Sequence, residues 1–251
     1  MSPPSVHPAP LTGLALRQPS LLGVYEVLLA EHGHETWHWA PSHIAGPMDV
    51  VAGAVLVQHT GWANAERALE ALRAAGALDP VRLGSMPRAE LAALVRVSGT
   101  PTVKARRLQA LAATIVAARG LQAFLALNRE DLRELLLETH GIGPETADAI
   151  LLYAAGHLAF VVDAYTKRMF RRIGAGPAGD GYDAWQRYFE HGLTASASVD
   201  LYRAYHACIV LHSKAVCRAV PRCGECALRP HCATGASVPD VAGPRDAGAS
   251  R

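Results

Sequence analysis

The sequence predicts an all-α protein, and three observations carry that prediction. Apolar residues recur at three-and-four spacing along most of the chain, no convincing alternating strand or hairpin pattern occurs, and helix-boundary signals punctuate the periodic stretches. Leu21, Leu22, Tyr25, Leu28 and Leu29 make the first helical face. Residues 50–57 are apolar nearly all round, the pattern of a buried helix. Trp62, Ala65, Leu69 and Leu72 form the next face, which ends at Gly76. Ser85, two residues before Pro87, is placed to cap the helix carrying Leu91, Leu94 and Val95. Further faces run through Val103, Leu108, Leu111 and Ile115, through Leu132, Leu135 and Leu136, and through Ala147, Ile150, Leu151 and Ala154. Phe160-Val161-Val162 is briefly strand-like and leads into a basic helix, which puts a domain junction near residue 160. The last long face holds Leu201, Tyr205, Cys208, Ile209 and His212, with Cys208 as a core residue. Residues 1–19, with five prolines, read as a disordered arm, and residues 234–251 as a disordered tail.

Composition narrows the class. With 251 residues, half of them apolar, the chain has the material for one large or two modest cores. Net charge is +2 and the sequence pI about 8.3, so a polyanion must be met by local basic clusters. The chain is too large and its five cysteines too tightly grouped for a secreted disulfide scaffold. No signal-peptide pattern or membrane-length apolar run occurs, so a cytoplasmic, reducing environment is expected.

Two motifs carry chemistry. Cys217, Cys223, Cys226 and Cys232 follow a C-x5-C-x2-C-x5-C spacing, and four thiolates within sixteen residues can wrap one metal centre. That spacing alone does not separate zinc from an iron–sulfur cluster. Upstream, Thr139-His140-Gly141-Ile142-Gly143-Pro144-Glu145-Thr146 is a glycine hairpin between two helical patterns. Gly141 and Gly143 can both take positive φ, and Pro144 suits the first position of a helix capped by Gly143. Free amides there, with the positive dipole end, would bind an anion such as phosphate; the plainer alternative is an ordinary helix–turn–helix corner.

The run L-L-L-E-T-H-G-I-G-P-E-T-A-D-A-I-L, followed by V-V-D-A-Y-T-K-R, resembles the helix-hairpin-helix, Gly/Pro-rich, Asp-containing (HhH-GPD) DNA glycosylase superfamily. The cysteine quartet resembles the [4Fe-4S] loop of its endonuclease III branch, and the likeness covers roughly residues 20–233. The resemblance implies two helical domains flanking a DNA cleft. Residues 20–45 would be an N-terminal helix packing with the cluster domain, 46–160 the domain bearing the helix-hairpin-helix, and 161–233 the iron–sulfur domain. It implies a monomeric, nucleoid-associated enzyme that flips a damaged base out of double-stranded DNA and cuts its N-glycosidic bond.

Site residues follow from the same resemblance. Asp163, after an apolar triplet and before a helix with Lys167, Arg168, Arg171 and Arg172, would be the catalytic aspartate, and equally a helix N-cap. Strand-cutting members carry a nucleophilic lysine where this chain has Glu145, a carboxylate that cannot form an imine. Lys167 is the nearest other amine in sequence, at a spacing that matches no family nucleophile. A monofunctional glycosylase, similar to a 3-methyladenine-type subgroup, is therefore expected, with water as nucleophile. The rivals are a bifunctional glycosylase/lyase for oxidised pyrimidines and a catalytically weak DNA-structure-binding relative. Trp62, with Trp39 or Trp37, resembles a base-stacking pocket, and the alternative is tryptophans filling helix junctions. Gln58 would fill the hole left by the flipped nucleotide, or merely cap the helix before it. Gly141, Ile142, Gly143, Thr146, Lys104, Arg218 and Arg222 are the expected DNA contacts. Relatives usually have six residues between the first two cysteines, and here there are five. The hairpin and aspartate favour [4Fe-4S] over zinc as the metal group.

Overall fold

The computed structural model describes residues 20–33 and 46–238, and among them there is no β-strand. The helices are α1 (Leu21–His32), α2 (Pro47–Leu56), α3 (Trp62–Ala74), α4 (Pro80–Ser85), α5 (Arg88–Leu94), α6 (Pro101–Ala117) and α7 (Leu121–Leu125). They continue with α8 (Arg129–Glu138), α9 (Pro144–Ile150), α10 (Ala164–Ile173), α11 (Tyr182–Gly192), α12 (Val199–Ala215) and α13 (Ala233–Ala236). A π-helical turn, Leu151–Ala155, continues α9. No described helix is long and apolar enough to cross a membrane.

Two apolar clusters organise these helices. The first is aliphatic: Val51, Val55 and Leu56 of α2, Leu72 of α3, Leu108, Leu111 and Ile115 of α6, Leu132 of α8 and Ile150 of α9 are all buried together. The second is aromatic. The Phe160 and Phe189 rings stack at 4.2 Å, and Tyr202 and Tyr205 meet Phe160 edge-on. Leu21, Val24 and Leu28 of α1 join this second cluster, because α1 packs on α12 although 180 residues separate them in sequence. Each fully buried Leu or Phe contributes about 1.5–3 kcal/mol. The π turn lies at the seam, with Leu151 in the first cluster and Leu152 in the second.

The strand-like triplet is an extended connector buried in the second cluster, directly after Ala159 of the first. Its backbone finds no ladder partner, so side chains of α11 satisfy it: the Phe160 N–H donates to Glu190 at 3.2 Å, and Gln186 donates to the Phe160 carbonyl at 3.1 Å. This clamping fixes where the next residue, Asp163, emerges. Two other expectations are corrected. Ser85 ends α4 with its hydroxyl donating to the Arg82 carbonyl, and α5 starts after Pro87 with no side-chain cap. The chain is also still helical through Ala236, because Gly235 packs against Arg229, so the expected tail from residue 234 begins in ordered structure.

Candidate active site and cysteine loop

The hairpin joins α8 to α9. Gly141 has φ +84°, and a Cβ there would come within 2.4 Å of the Arg107 side chain, so both conformation and close approach demand glycine. Gly143 differs from expectation: its φ of −97° is ordinary extended backbone, and its role is to precede Pro144 as the N-cap. Ile142 buries its side chain in the first cluster and donates its amide to the Thr139 carbonyl at 3.0 Å. Gln58 donates to the Gly141 carbonyl at 3.3 Å and to the Thr146 hydroxyl at 2.9 Å, and it accepts from Arg107. Ile142, Thr146 and Gln58, all expected at the DNA surface, thus serve as internal braces of the turn in this structure.

Lys104 requires a correction. It is 1% exposed, and its ammonium donates to the Leu56 carbonyl at 2.7 Å and to the Ser98 carbonyl. Burial, then the neighbouring Arg107 charge, lowers its pKa to about 8. It ties off the C-terminal end of α2 and cannot reach a phosphate. Its sequence context, G-T-P-T-V-K-A-R-R, shows a charge run but not which member faces inward.

Asp163 stands at the N-cap of α10, as the apolar triplet and the following helix suggested. Its Oδ1 accepts from the Thr166 amide at 2.7 Å and from the Thr166 hydroxyl at 2.8 Å. Its Oδ2 lies 3.7 Å from Nε2 of His206, an ion-pair rather than a hydrogen-bond distance. Burial pushes the Asp163 carboxyl up, but His206 and the two Thr166 donors outweigh it, and the net pKa lies below the ordinary value. Glu145 sits in the first turn of α9 close enough to feel that charge. The residue is exposed overall, yet burial of its carboxyl, then repulsion from Asp163, raises its pKa, while His206 and Lys167 oppose the rise. Two carboxyls therefore share one place with their pKa values driven in opposite directions. No amine takes the lysine position, and Lys167 turns away to donate to the Asp180 carbonyl at 2.9 Å.

Several contributors escaped the sequence reading. Asp148 is fully buried and accepts from Arg133 at 2.8 Å and from Gln186 at 2.8 Å, binding α9 to α8 and α11. Tyr153 and His206 pair at 2.8 Å behind Asp163. The clue to Asp148 was its place on the apolar face of E-T-A-D-A-I-L; nothing local marked Tyr153 or His206. Trp62 is half-buried at the start of α3, its ring over Gly53 and packed on the first cluster. Trp37 and Trp39 lie outside the described residues.

The cysteine segment is gathered onto α10 and α12. Cys217 and Cys232 are buried, Cys223 and Cys226 partly so. Arg168 donates to the Cys217 carbonyl at 2.9 Å and to the Ser213 carbonyl at 3.1 Å. Arg172 reaches the Ala219 carbonyl at 2.8 Å, the Arg218 carbonyl, and the Cys217 sulfur at 3.4 Å. Two of the basic residues of α10 are therefore clamps on the loop, while Arg171 pairs with Asp180. Arg218 and Arg222 remain exposed on the loop, Arg222 with Glu225 at 3.6 Å. Burial, with charge on Cys232 and Cys217 adding, pushes the Cys226 thiol up to about 11, and burial raises Cys232 as well. Gathering four such groups is unfavourable unless a cation takes up their charge, so the donor set suits a metal centre.

An ionised, capped carboxylate close to the helix that follows a glycine hairpin, with four cysteines gathered towards the other end of its own helix, defines a helix-hairpin-helix protein with the layout of a nucleic-acid enzyme. Comparison with known proteins agrees. Residues 52–194 match the family described as HhH-GPD superfamily base excision DNA repair protein. A candidate DNA repair glycosylase of Methanocaldococcus jannaschii is 38% identical over 212 residues, which is 83% of this chain and 94% of that one. The solved H. pylori 3-methyladenine DNA glycosylase, bound to 1,N6-ethenoadenine, is 29% identical, with a TM-score of 0.65 over 76% of this chain and 96% of its own. An endonuclease III–DNA complex shares the fold at 21% identity, with a TM-score of 0.68 over 85% of this chain and 94% of its own. The chain belongs to the HhH-GPD superfamily, and it is a DNA glycosylase of base excision repair.

Proposed function

We propose that this glycosylase is monofunctional, with Asp163 as the catalytic carboxylate and water as the nucleophile, and that it favours alkylated purines. The observation that carries this reading is the pair Asp163 and Glu145: an ionised carboxylate, beside a second carboxyl where an imine-forming lysine would have to stand. When an N-glycosidic bond breaks, positive charge develops on the sugar, and a fixed anion stabilises that state more than the ground state. Glu145 cannot make a Schiff base, so the strand-cutting route lacks its covalent intermediate. With its pKa raised, Glu145 is suited to share a proton with the departing base or the attacking water.

Alkylated purines are favoured by two supports. The H. pylori relative acts on 3-methyladenine by name and was solved with an ethenoadenine. A cationic base also leaves without prior protonation, which suits a site whose main resource is one anion. The flipped base would stack on aromatic rings, Trp62 and Trp39 being the candidates. DNA would lie on the hairpin glycines Gly141 and Gly143 and on Arg218 and Arg222.

The cysteines would hold a [4Fe-4S] cluster. The likeness to endonuclease III proteins, together with the four-cysteine spacing, supports the larger cluster over a single zinc. Its part is structural, shaping the loop that offers Arg218 and Arg222. A panel of duplexes with alkylated, oxidised, uracil and mismatched bases, each with and without alkali, tests the function. Alkali-dependent cleavage confined to the alkylated duplexes is expected. A borohydride-trapped enzyme–DNA adduct would refute the monofunctional reading. A brown protein with broad visible absorption is expected from the cluster, and a colourless zinc protein would overturn that assignment.

A further inference from the structure

Asp163 uses one carboxylate oxygen as a helix cap, and the other faces a side chain that no sequence motif marked. His206, on α12, is 7% exposed, and its Nε2 lies 3.7 Å from Asp163 Oδ2. Its Nδ1 is 2.8 Å from the Tyr153 hydroxyl, which is also 3.4 Å from the Arg203 carbonyl. Arg203 in turn donates to the Leu152 carbonyl at 2.8 Å and the Tyr153 carbonyl at 3.2 Å, so the π turn carrying Tyr153 is fastened to α12. The arrangement spans three elements, and every member is held by another.

We propose that His206, braced by Tyr153, is a positioning residue for Asp163 that fixes the carboxylate oxygen not engaged in capping the helix. The chemistry of the pair decides which nitrogen carries hydrogen. With a neutral imidazole, the Tyr153 hydroxyl donates to Nδ1, and Nε2–H faces the carboxylate. With a protonated imidazole, Nδ1–H donates to the Tyr153 oxygen, the hydroxyl turns to the Arg203 carbonyl, and Nε2–H still faces Asp163. Either state turns Nε2–H toward Oδ2 across 3.7 Å, so rotating the carboxylate about its Cβ–Cγ bond weakens that electrostatic contact. This is the arrangement by which a third group orients a catalytic pair. The charged and titratable groups that face the imidazole or its immediate partners are Glu145 from α9, Tyr153 from the π turn, Asp163 and Lys167 from α10, and Arg203 and Cys208 on α12 itself. Glu145 feels both Asp163 and His206, so the histidine also balances two carboxyls that repel each other.

The inference rests on Asp163 being the group that acts on the glycosidic bond, and the test separates the two ideas. In the full-length protein, carbon NMR of the aspartate carboxyls, with Asp163 assigned through Asp163→Asn, follows its titration without substrate. His206→Leu is expected to raise the Asp163 midpoint by about one pH unit or more. His206→Gln, whose amide can place a donor near the Nε2 position, is expected to restore most of the shift. Tyr153→Phe, which frees the ring to turn, is expected to give a smaller rise. Excision from dimethyl-sulfate-treated DNA should show the same order in its acid limb, while affinity for a duplex with a tetrahydrofuran abasic analogue stays within about twofold. An unmoved midpoint in both His206→Leu and Tyr153→Phe overturns the proposal; if His206→Leu does not fold, an unmoved midpoint in Tyr153→Phe alone does so. Undiminished excision by Asp163→Asn would instead remove the catalytic reading and leave the His206 contact to stand as structure.

Discussion

The two apolar clusters solve the same problem with different means. The first closes on aliphatic side chains from seven helices, and its inward-facing cation, Lys104, is absorbed by backbone carbonyls. The second has an aromatic centre but must also hold the segment after α12, which contributes few apolar anchors beyond Val216 and Leu228 and forms only short 3-10 turns before α13. Arg168 and Arg172 grip that segment by its carbonyls, and four convergent thiols finish it. Where hydrophobic area is scarce, charge-assisted hydrogen bonds take over, and ligation through the four cysteines would add to them. The candidate active site lies at the seam, just after the connector 160–162, which the second cluster buries.

That contrast can be broken at the seam, in either cluster, or at the carboxylate. The largest effect is expected from Asp148→Ala, which leaves the Arg133 cation and the Gln186 amide without their buried acceptor. A loss of about 3–5 kcal/mol in denaturant unfolding is expected, and a loss under about 1 kcal/mol would show that the seam does not depend on this network. Asp163→Asn should come next, lowering single-turnover excision by roughly 100-fold or more, about 3 kcal/mol of barrier. Asparagine caps helices nearly as well as aspartate, so melting temperature at neutral pH should fall only by the small contribution of the ionised carboxylate. Retained excision would count against the site.

Arg172→Met should cost about 1.5–3 kcal/mol, since it removes charge-assisted bonds to loop carbonyls. The difference between the clusters sharpens the expectation: limited proteolysis should cut first after residue 215, with the aliphatic cluster intact. Uniform digestion of both would erase the contrast drawn here. The smallest effect is one of pH. The folded Asp163 pKa lies below its unfolded value, so the stabilisation it brings is fully present above the unfolded pKa and fades as pH falls through the folded one. Acid titration of stability should therefore show wild type and Asp163→Asn converging at low pH, and a constant gap would contradict the assignment.

Much of this was legible in local sequence. Periodicity marked the helices, Gly143-Pro144 marked the start of α9, and an aspartate between an apolar triplet and a basic helix read correctly as a cap. These signals are local because capping and helical propensity act over three or four residues. Lys104 was misassigned because a lysine in a charge run looks the same whether its ammonium meets water or the carbonyl of Leu56, 48 residues away. Gln58 was read as filling the hole left by a flipped base or as a helix cap, and its bonds to Gly141 and Thr146, 83 and 88 residues downstream, were not legible locally.

The sequence by itself determined the helical class, the cysteine quartet, the hairpin and the absence of a lysine at position 145. Those properties follow from residue identity and short-range geometry. Tertiary structure alone decided which charges are spent inside, that Arg168 and Arg172 face the loop, and that Tyr153 and His206 stand behind Asp163. The reason is physical: a side chain's partner across 40 or more residues is set by how helices pack, and packing depends on the whole distribution of apolar surface rather than on any one segment of it.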